Sequence, residues 1–180
     1  APQRAVRARA HVTVATGCED LSFACDVFQS AVTPAEDAAA CRSIASGLAP
    51  GAWVVDLNSV SPSTRLACAA IIGEAGGRYV EAAVMSPIAP RRIRSPILLG
   101  GPHANAFLET AVRLGFEGAR VFSGDVGPAS ATKMCRSVIV KGLEALVTES
   151  LLAARQYGVE EAVLGSLGDL LRERDWPASA

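Results

Sequence analysis

From His11 onward, short β-branched or apolar runs alternate with longer stretches in which apolar residues recur at helical spacing. Residues 12–15, 26–32, 52–60, 78–84, 97–100 and 120–123 are predicted strands. Between them, residues 35–48 follow Thr33-Pro34, residues 62–73 follow Ser61, and residues 103–114 follow Pro102, each with a proline in or beside the first turn, where the missing amide costs nothing. Trp53-Val54-Val55 and Ile97-Leu98-Leu99 are continuously apolar rather than alternating, as strands covered on both faces must be. The pattern predicts an α/β fold, a partial Rossmann-type, mostly parallel sheet with helices on both faces. Gly73-Glu-Ala-Gly76-Gly77 ends a helix and precedes a strand, so it is a helix-terminating turn and not a phosphate loop, which must do the reverse.

After Ser130 the period changes to a single helix of roughly seven turns through Tyr157, with Gly158 in the C-cap role. Met134, Val138, Ile139, Val140, Leu143, Leu146, Val147, Leu151 and Leu152 cover most of its circumference and leave a thin polar stripe. Such a helix expects burial on several sides, by its own sheet domain and by helices of another domain or chain, and a homodimer built through it is the expected assembly. Residues 159–171 read as one more amphipathic segment and residues 175–180 as a frayed end. The organisation that follows is a domain over residues 1–128 and the start of an all-α domain over residues 129–180.

Charge and composition narrow the function classes. Half of the 180 residues are apolar and the formal charge is −1, so there is no broad basic field for nucleic acid and no acidic tail. Arg4, Arg7 and Arg9 form a local basic cluster without a following secretory core, and no apolar run is long enough to cross a bilayer. The five cysteines include no C-x-x-C pair, and His11 and His103 have no carboxylate at ligand spacing. No disulfide framework and no metal site is expected, and a reduced, cytoplasmic setting fits best. Cys135 is expected as a small buried residue, His103 at a helix N-terminus, and Glu81 and Asp125 as solvated loop acids.

The candidate chemistry lies in Gly124-Asp-Val-Gly127-Pro-Ala-Ser-Ala-Thr-Lys133, where a glycine-punctuated turn delivers one lysine into the first turns of the long helix. Apolar surroundings and the positive end of a helix dipole both disfavour a charged amine, which pulls its pKa toward the range useful for proton transfer. The alternative is an ordinary first-turn lysine reaching into solvent. Asn58 and Ser59 follow the strand ending near Leu57, where an open parallel sheet places ligand contacts, although Ser61 before Pro62 would cap the next helix whatever the function.

Taken in order, these landmarks resemble the β-hydroxyacid dehydrogenase family, which includes 3-hydroxyisobutyrate and 6-phosphogluconate dehydrogenases. Val32-Thr33-Pro34 resembles that family's adenosine-side loop, Asp56-Leu-Asn-Ser-Val-Ser-Pro62 its D-x-S-T-x-S-P loop beside the nicotinamide, and the Lys133 segment its G-x-x-G-x-G-x-x-x-K motif, with Ala129 in the third glycine position. Val84-Met-Ser-Pro-Ile88, residues 96–102 and Lys141-Gly-Leu-Glu144 look most like a less studied 6-phosphogluconate-dehydrogenase-like branch with its own helical C-terminal domain. The resemblance implies hydride transfer between a small hydroxy acid and NAD or NADP. Lys133 would take the hydroxyl proton; Val32, Thr33, Pro34, Asn58 and Ser59 would contact the cofactor, and Ser59, Ser86, Arg136 and Ser137 the substrate.

Departures from the family pattern bear on the pocket. Met85-Ser86-Pro87 stands where S-G-G is usual, so the carboxylate-binding hydroxyl is one place later and Pro87 lacks an amide donor. Ser137 replaces the asparagine one turn after the lysine, with Arg136 beside it as a clamp for an acid group or as a solvated surface arginine. The opening strand, G-x-G-x-x-G and helix are not found, so roughly two βα units would precede Ala1. The chain is expected to be a fragment, inactive in isolation, of such an enzyme. The rival is a non-catalytic truncated relative in which the apolar helix makes a dimerisation or interaction module.

Overall fold

The computed structural model of the protein describes residues 25–172; the predicted strand at 12–15, His11, Cys18, the arginines of the first ten residues and the tail at 175–180 lie outside them. The chain divides into two compact units, Ala1–Met134 and Cys135–Ala180, with the division falling inside the long helix.

The first unit carries a five-stranded sheet in simple sequential order: β1 (Val27–Ser30), β2 (Trp53–Asp56), β3 (Arg78–Val84), β4 (Ile97–Gly100) and β5 (Ala119–Ser123). Strands β1, β2 and β3 are mutually parallel, and β4 is parallel to β5 but antiparallel to β3. The reversal follows from the link between β3 and β4, which holds only α3 (Ile88–Arg91) and a 3-10 turn, too little for the crossover that a parallel pair needs. The other connections carry α1 (Asp37–Ala45), α2 (Pro62–Glu74) and α4 (Ala104–Arg113). Predicted strands 26–32 and 52–60 are shorter in the structure. Their flanks keep a strand-like pattern because the loop after β2 is itself largely buried at Asn58 and Val60.

Two apolar layers sandwich the sheet. Phe28, Val54 and Tyr79 meet Cys41, Ile44, Cys68 and Ile72 of α1 and α2 on one face; Val55, Val80, Ala82, Ile97 and Leu99 meet Phe107 and Ala111 of α4 on the other. Fully buried side chains such as Ile72 and Phe107 each contribute roughly 1.5–3 kcal/mol of transfer free energy. Ser61 caps α2 by accepting from the Thr64 amide at 3.2 Å, and the helix stops at Gly76, whose φ of +78° needs no Cβ. At the N-terminal ends of β2 and β3 the Arg78 guanidinium lies 3.8 Å over the Trp53 ring, and His103, at the N-cap of α4, meets the same ring edge-on.

Helix α5 (Pro128–Tyr157) begins in the first unit and ends at Gly158, φ +68°. It matches the predicted long helix, and α6 (Glu160–Arg172) the amphipathic segment after it. In the second unit Val138, Ile139, Val140, Leu143, Leu146 and Leu152 are all exposed. Cys135 is also exposed, against the expectation of a buried position. Among the described residues no helix is long and apolar enough to cross a membrane.

Candidate active site at the start of the long helix

The polar residues of β2 and β3 line up on the face that carries α1 and α2. Asp56, at the end of β2, is in register with Glu81 of β3, and both carboxylates are fully buried. Two neighbouring buried acids are tolerable only when each has a donor set of its own. Each has one. Asp56 pairs with Arg65 of α2, Oδ1 to Nη1 at 2.6 Å, accepts the Tyr79 hydroxyl on Oδ2 at 2.7 Å and accepts the Asn58 amide at 2.9 Å. Glu81 accepts the amides of Gly127 at 2.7 Å and Ser130 at 2.6 Å, and so caps the start of α5. Glu81 is therefore not the solvated loop acid its spacing suggested; it holds the long helix on the sheet.

Arg65 joins the two halves. Its guanidinium donates to the carbonyls of Asp56 and Asn58 and, through Nε, to the Ser130 hydroxyl at 3.0 Å. Fully buried, it ties the end of β2 and the Asn58 loop to Ser130 in the first turn of α5. The helix sits close to the sheet because Ala129, fully buried, packs on Ala83 and Leu98. A larger side chain in that third glycine position would lift the helix away. Gly127 has φ +115°, and an added Cβ there would lie 3.3 Å from Pro62 Cβ. The turn therefore requires glycine twice over, for its backbone and for its clearance.

From this base the Lys133 amine, half-buried, donates to the Ser59 hydroxyl at 2.7 Å. Its pKa is lowered by burial first and by the Arg65 charge second. Ser59 itself is exposed. An amine whose charged form is disfavoured by burial, next to an open hydroxyl, can accept a proton from an alcohol or return one.

The other predicted residues fall in distinct places. Asn58 is buried and spends its side chain inside the protein: Nδ2 donates to Ser30 Oγ at 2.9 Å and Asp37 Oδ1 at 2.6 Å, while Oδ1 accepts the Val32 amide at 2.6 Å. Its role here is to pin the loop that exposes Val32, Thr33 and Pro34 against the end of β2, not to offer free polar atoms. Ser86 is half-buried, with its hydroxyl turned to the Pro87 carbonyl at 3.3 Å. Arg136 is exposed and Ser137 half-buried, both in the second unit. Sequence reasoning missed Arg65, Tyr79 and Asp37. Burial, and then the Asp56 charge, pushes the Asp37 carboxyl up from the usual range, and its Oδ2 has no partner. The available signal was a charged residue within an otherwise apolar face, as at Arg65 between Pro62 and Cys68.

The five-stranded, mostly parallel sheet followed by a long helix defines a partial Rossmann-type α/β protein. No protein-family model and no curated protein matches the chain. Among solved structures, it is 36% identical to a conserved hypothetical protein from Sinorhizobium meliloti 1021, covering 98% of this chain and 60% of that one, with a TM-score of 0.74. It is 33% identical to a conserved protein of unknown function noted for similarity to 3-hydroxyacid dehydrogenases, covering 100% of this chain and 67% of that one, with a TM-score of 0.73. The chain belongs to the β-hydroxyacid dehydrogenase family. The fold also recurs in Mycobacterium tuberculosis 3-hydroxyisobutyrate dehydrogenase, solved with L-serine, at 18% identity over 98% of this chain and 62% of that one, with a TM-score of 0.77.

Proposed function

We propose that the protein carrying this chain catalyses hydride transfer between a small hydroxy acid and NAD or NADP, with Lys133 as the group that takes the alcohol proton. The observation that carries this reading is the half-buried amine 2.7 Å from the exposed Ser59 hydroxyl, at the end of a parallel strand. Loss of the hydroxyl proton and departure of the carbon-bound hydrogen must be nearly simultaneous. A base with a lowered pKa, within hydrogen-bond reach of the alcohol, stabilises the developing alkoxide. The nicotinamide, when bound, supplies the hydride acceptor, and a solved relative of the same fold holds NAD+.

In this reading Ser59 orients the reacting alcohol against Lys133, and the exposed Val32-Thr33-Pro34 loop flanks the cofactor. Asn58 serves the cofactor indirectly by fixing that loop. Ser86, Arg136 and Ser137 are assigned to the acid group of the substrate. The test is turnover of a panel of small hydroxy acids with each dinucleotide, by the complete protein and its Lys133→Met variant. Loss of at least about a thousandfold in kcat with unchanged dinucleotide affinity is expected when a transition-state interaction alone is removed. Retained turnover in the variant would overturn the assignment.

A second reading, an interaction module, is favoured by one observation: Val138, Leu146 and Leu152, exposed on the second unit, are each more than half accessible. A homodimer through the long helix satisfies them and is compatible with the enzymatic reading.

A further inference from the structure

Beneath the loop pinned by Asn58, four potential metal-binding side chains converge where their spacing in sequence gives no hint of it. Asp37 and Cys41 are one turn apart on the same face of α1, Cys68 faces them from α2, and Asp56 ends β2. All four are fully buried, and their donor atoms all lie within 4.8 Å of one another. We propose that Asp37, Cys41, Cys68 and Asp56 form a structural binding site for one zinc-like divalent cation, closed on all sides by protein.

An orphaned atom supports this independently of the clustering. Asp37 Oδ1 accepts from Asn58, but Oδ2, equally buried, has no hydrogen-bond partner. An unsatisfied buried carboxylate oxygen is costly, and an ion is one of the few things that explains it. Asp56 also has capacity. A carboxylate offers about four lone-pair positions, and Arg65, the Asn58 amide and the Tyr79 hydroxyl take three, leaving one. The cation would therefore share Asp56 with Arg65 rather than displace it.

The donor set selects the metal class. Two thiols and two carboxylate oxygens suit a borderline-soft, tetrahedral ion; calcium and magnesium take all-oxygen shells with more ligands. Tetrahedral zinc with bonds of about 2.0–2.3 Å sets its donors roughly 3.3–3.8 Å apart, so side-chain shifts of about 1 Å draw the cluster in. On binding, each thiol loses its proton to solvent as its sulfur–metal bond forms, and no electron moves. With no open coordination position and no exposed donor, the ion's work is structural: it ties α1 and α2 to the strand end from which Ser59 projects.

The experiment uses the full chain, stripped with chelator under a thiol reductant and titrated with zinc against a chromophoric chelator, and with cobalt as a spectroscopic probe. One zinc per chain is expected, together with cobalt–thiolate charge-transfer bands, tetrahedral cobalt absorption and a rise in Tm on zinc addition. Joint replacement Cys41→Ala and Cys68→Ala should abolish the bands and weaken zinc at least about a hundredfold. Comparing the two proteins cancels any ion held by Cys18, Cys25 or Cys135. Should the double variant fail to fold, Asp37→Asn, which keeps the acceptor used by Asn58, should cost at least about tenfold in affinity. A wild-type chain without cobalt–thiolate bands, or a folded double variant binding zinc equally well, overturns the proposal.

Discussion

Lys133 titrates in a setting built from other residues' partners. Burial and the Arg65 charge both lower its pKa, so its neutral form is favoured by folding. The sign follows by linkage: below the lowered value both folded and unfolded chains carry the proton, and the folded state bears the cost of a buried charge. Above it the unfolded chain binds more protons, so stability climbs with pH until the ordinary lysine value is passed. Lys133→Met should accordingly raise Tm at neutral pH, with the advantage shrinking as pH climbs through the lowered value; a pH series of thermal melts checks this. Arg65 offers a sharper test. Lys133 and Lys141 are the chain's lysines, so carbon-13 methylation gives resolvable NMR signals. Removing the guanidinium in Arg65→Met should move the Lys133 midpoint upward, while Asp56→Asn, which leaves Arg65 uncompensated, should move it further down. Breaking the buried pair from either side costs about 3–5 kcal/mol, and the double variant less, which keeps a folded protein available for the titration. Lys133, Ser59 and the glycine turn were legible in the sequence because they lie in contiguous motifs. Arg65 was not, since its partners Asp56, Tyr79 and Ser130 come from three separate segments and no spacing rule links them.

At the scale of elements, the join between sheet and long helix rests on Glu81 and Gly127. Glu81→Gln replaces one acceptor oxygen with an amino group that faces a backbone N–H, and should destabilise by about 1–3 kcal/mol. Gly127→Ala places a Cβ at φ +115° close to Pro62 and should cost about 1–3 kcal/mol, with disturbance of the Glu81 bonds. Urea unfolding of each variant measures both, and a change within about 0.5 kcal/mol would contradict the account. Strands 78–84 and 97–100 were readable to the residue, as was the stop of α5 at Gly158, because apolar runs and glycine punctuation act locally. The reversed direction of β4 was not readable from the apolar runs, which look alike in either direction; the short link before it held the clue. Glu81 was misjudged for a related reason. A carboxylate in a strand pattern looks like a strand-end acid until its partners, from a helix start 46 and 49 residues away, are seen.

For the molecule as a whole, the exposed apolar residues of the second unit set the expected behaviour in solution. Sedimentation of the chain should show self-association, and joint Val138→Lys and Leu146→Lys substitutions should shift it toward monomer while leaving the lysine signal of the first unit unmoved. Unchanged sedimentation would remove the dimer from the account. The sequence offered the homodimer only as an expectation from the apolar circumference of the long helix, because such a surface declares that something covers it and not what. The Glu81 cap carries one more consequence. Helix starts commonly serve as anion seats, yet the two amides that α5 turns toward the sheet already grip a carboxylate belonging to the protein itself. In the proposed enzyme that seat is therefore taken, and the diphosphate of a dinucleotide would have to be gripped by some other stretch of polypeptide.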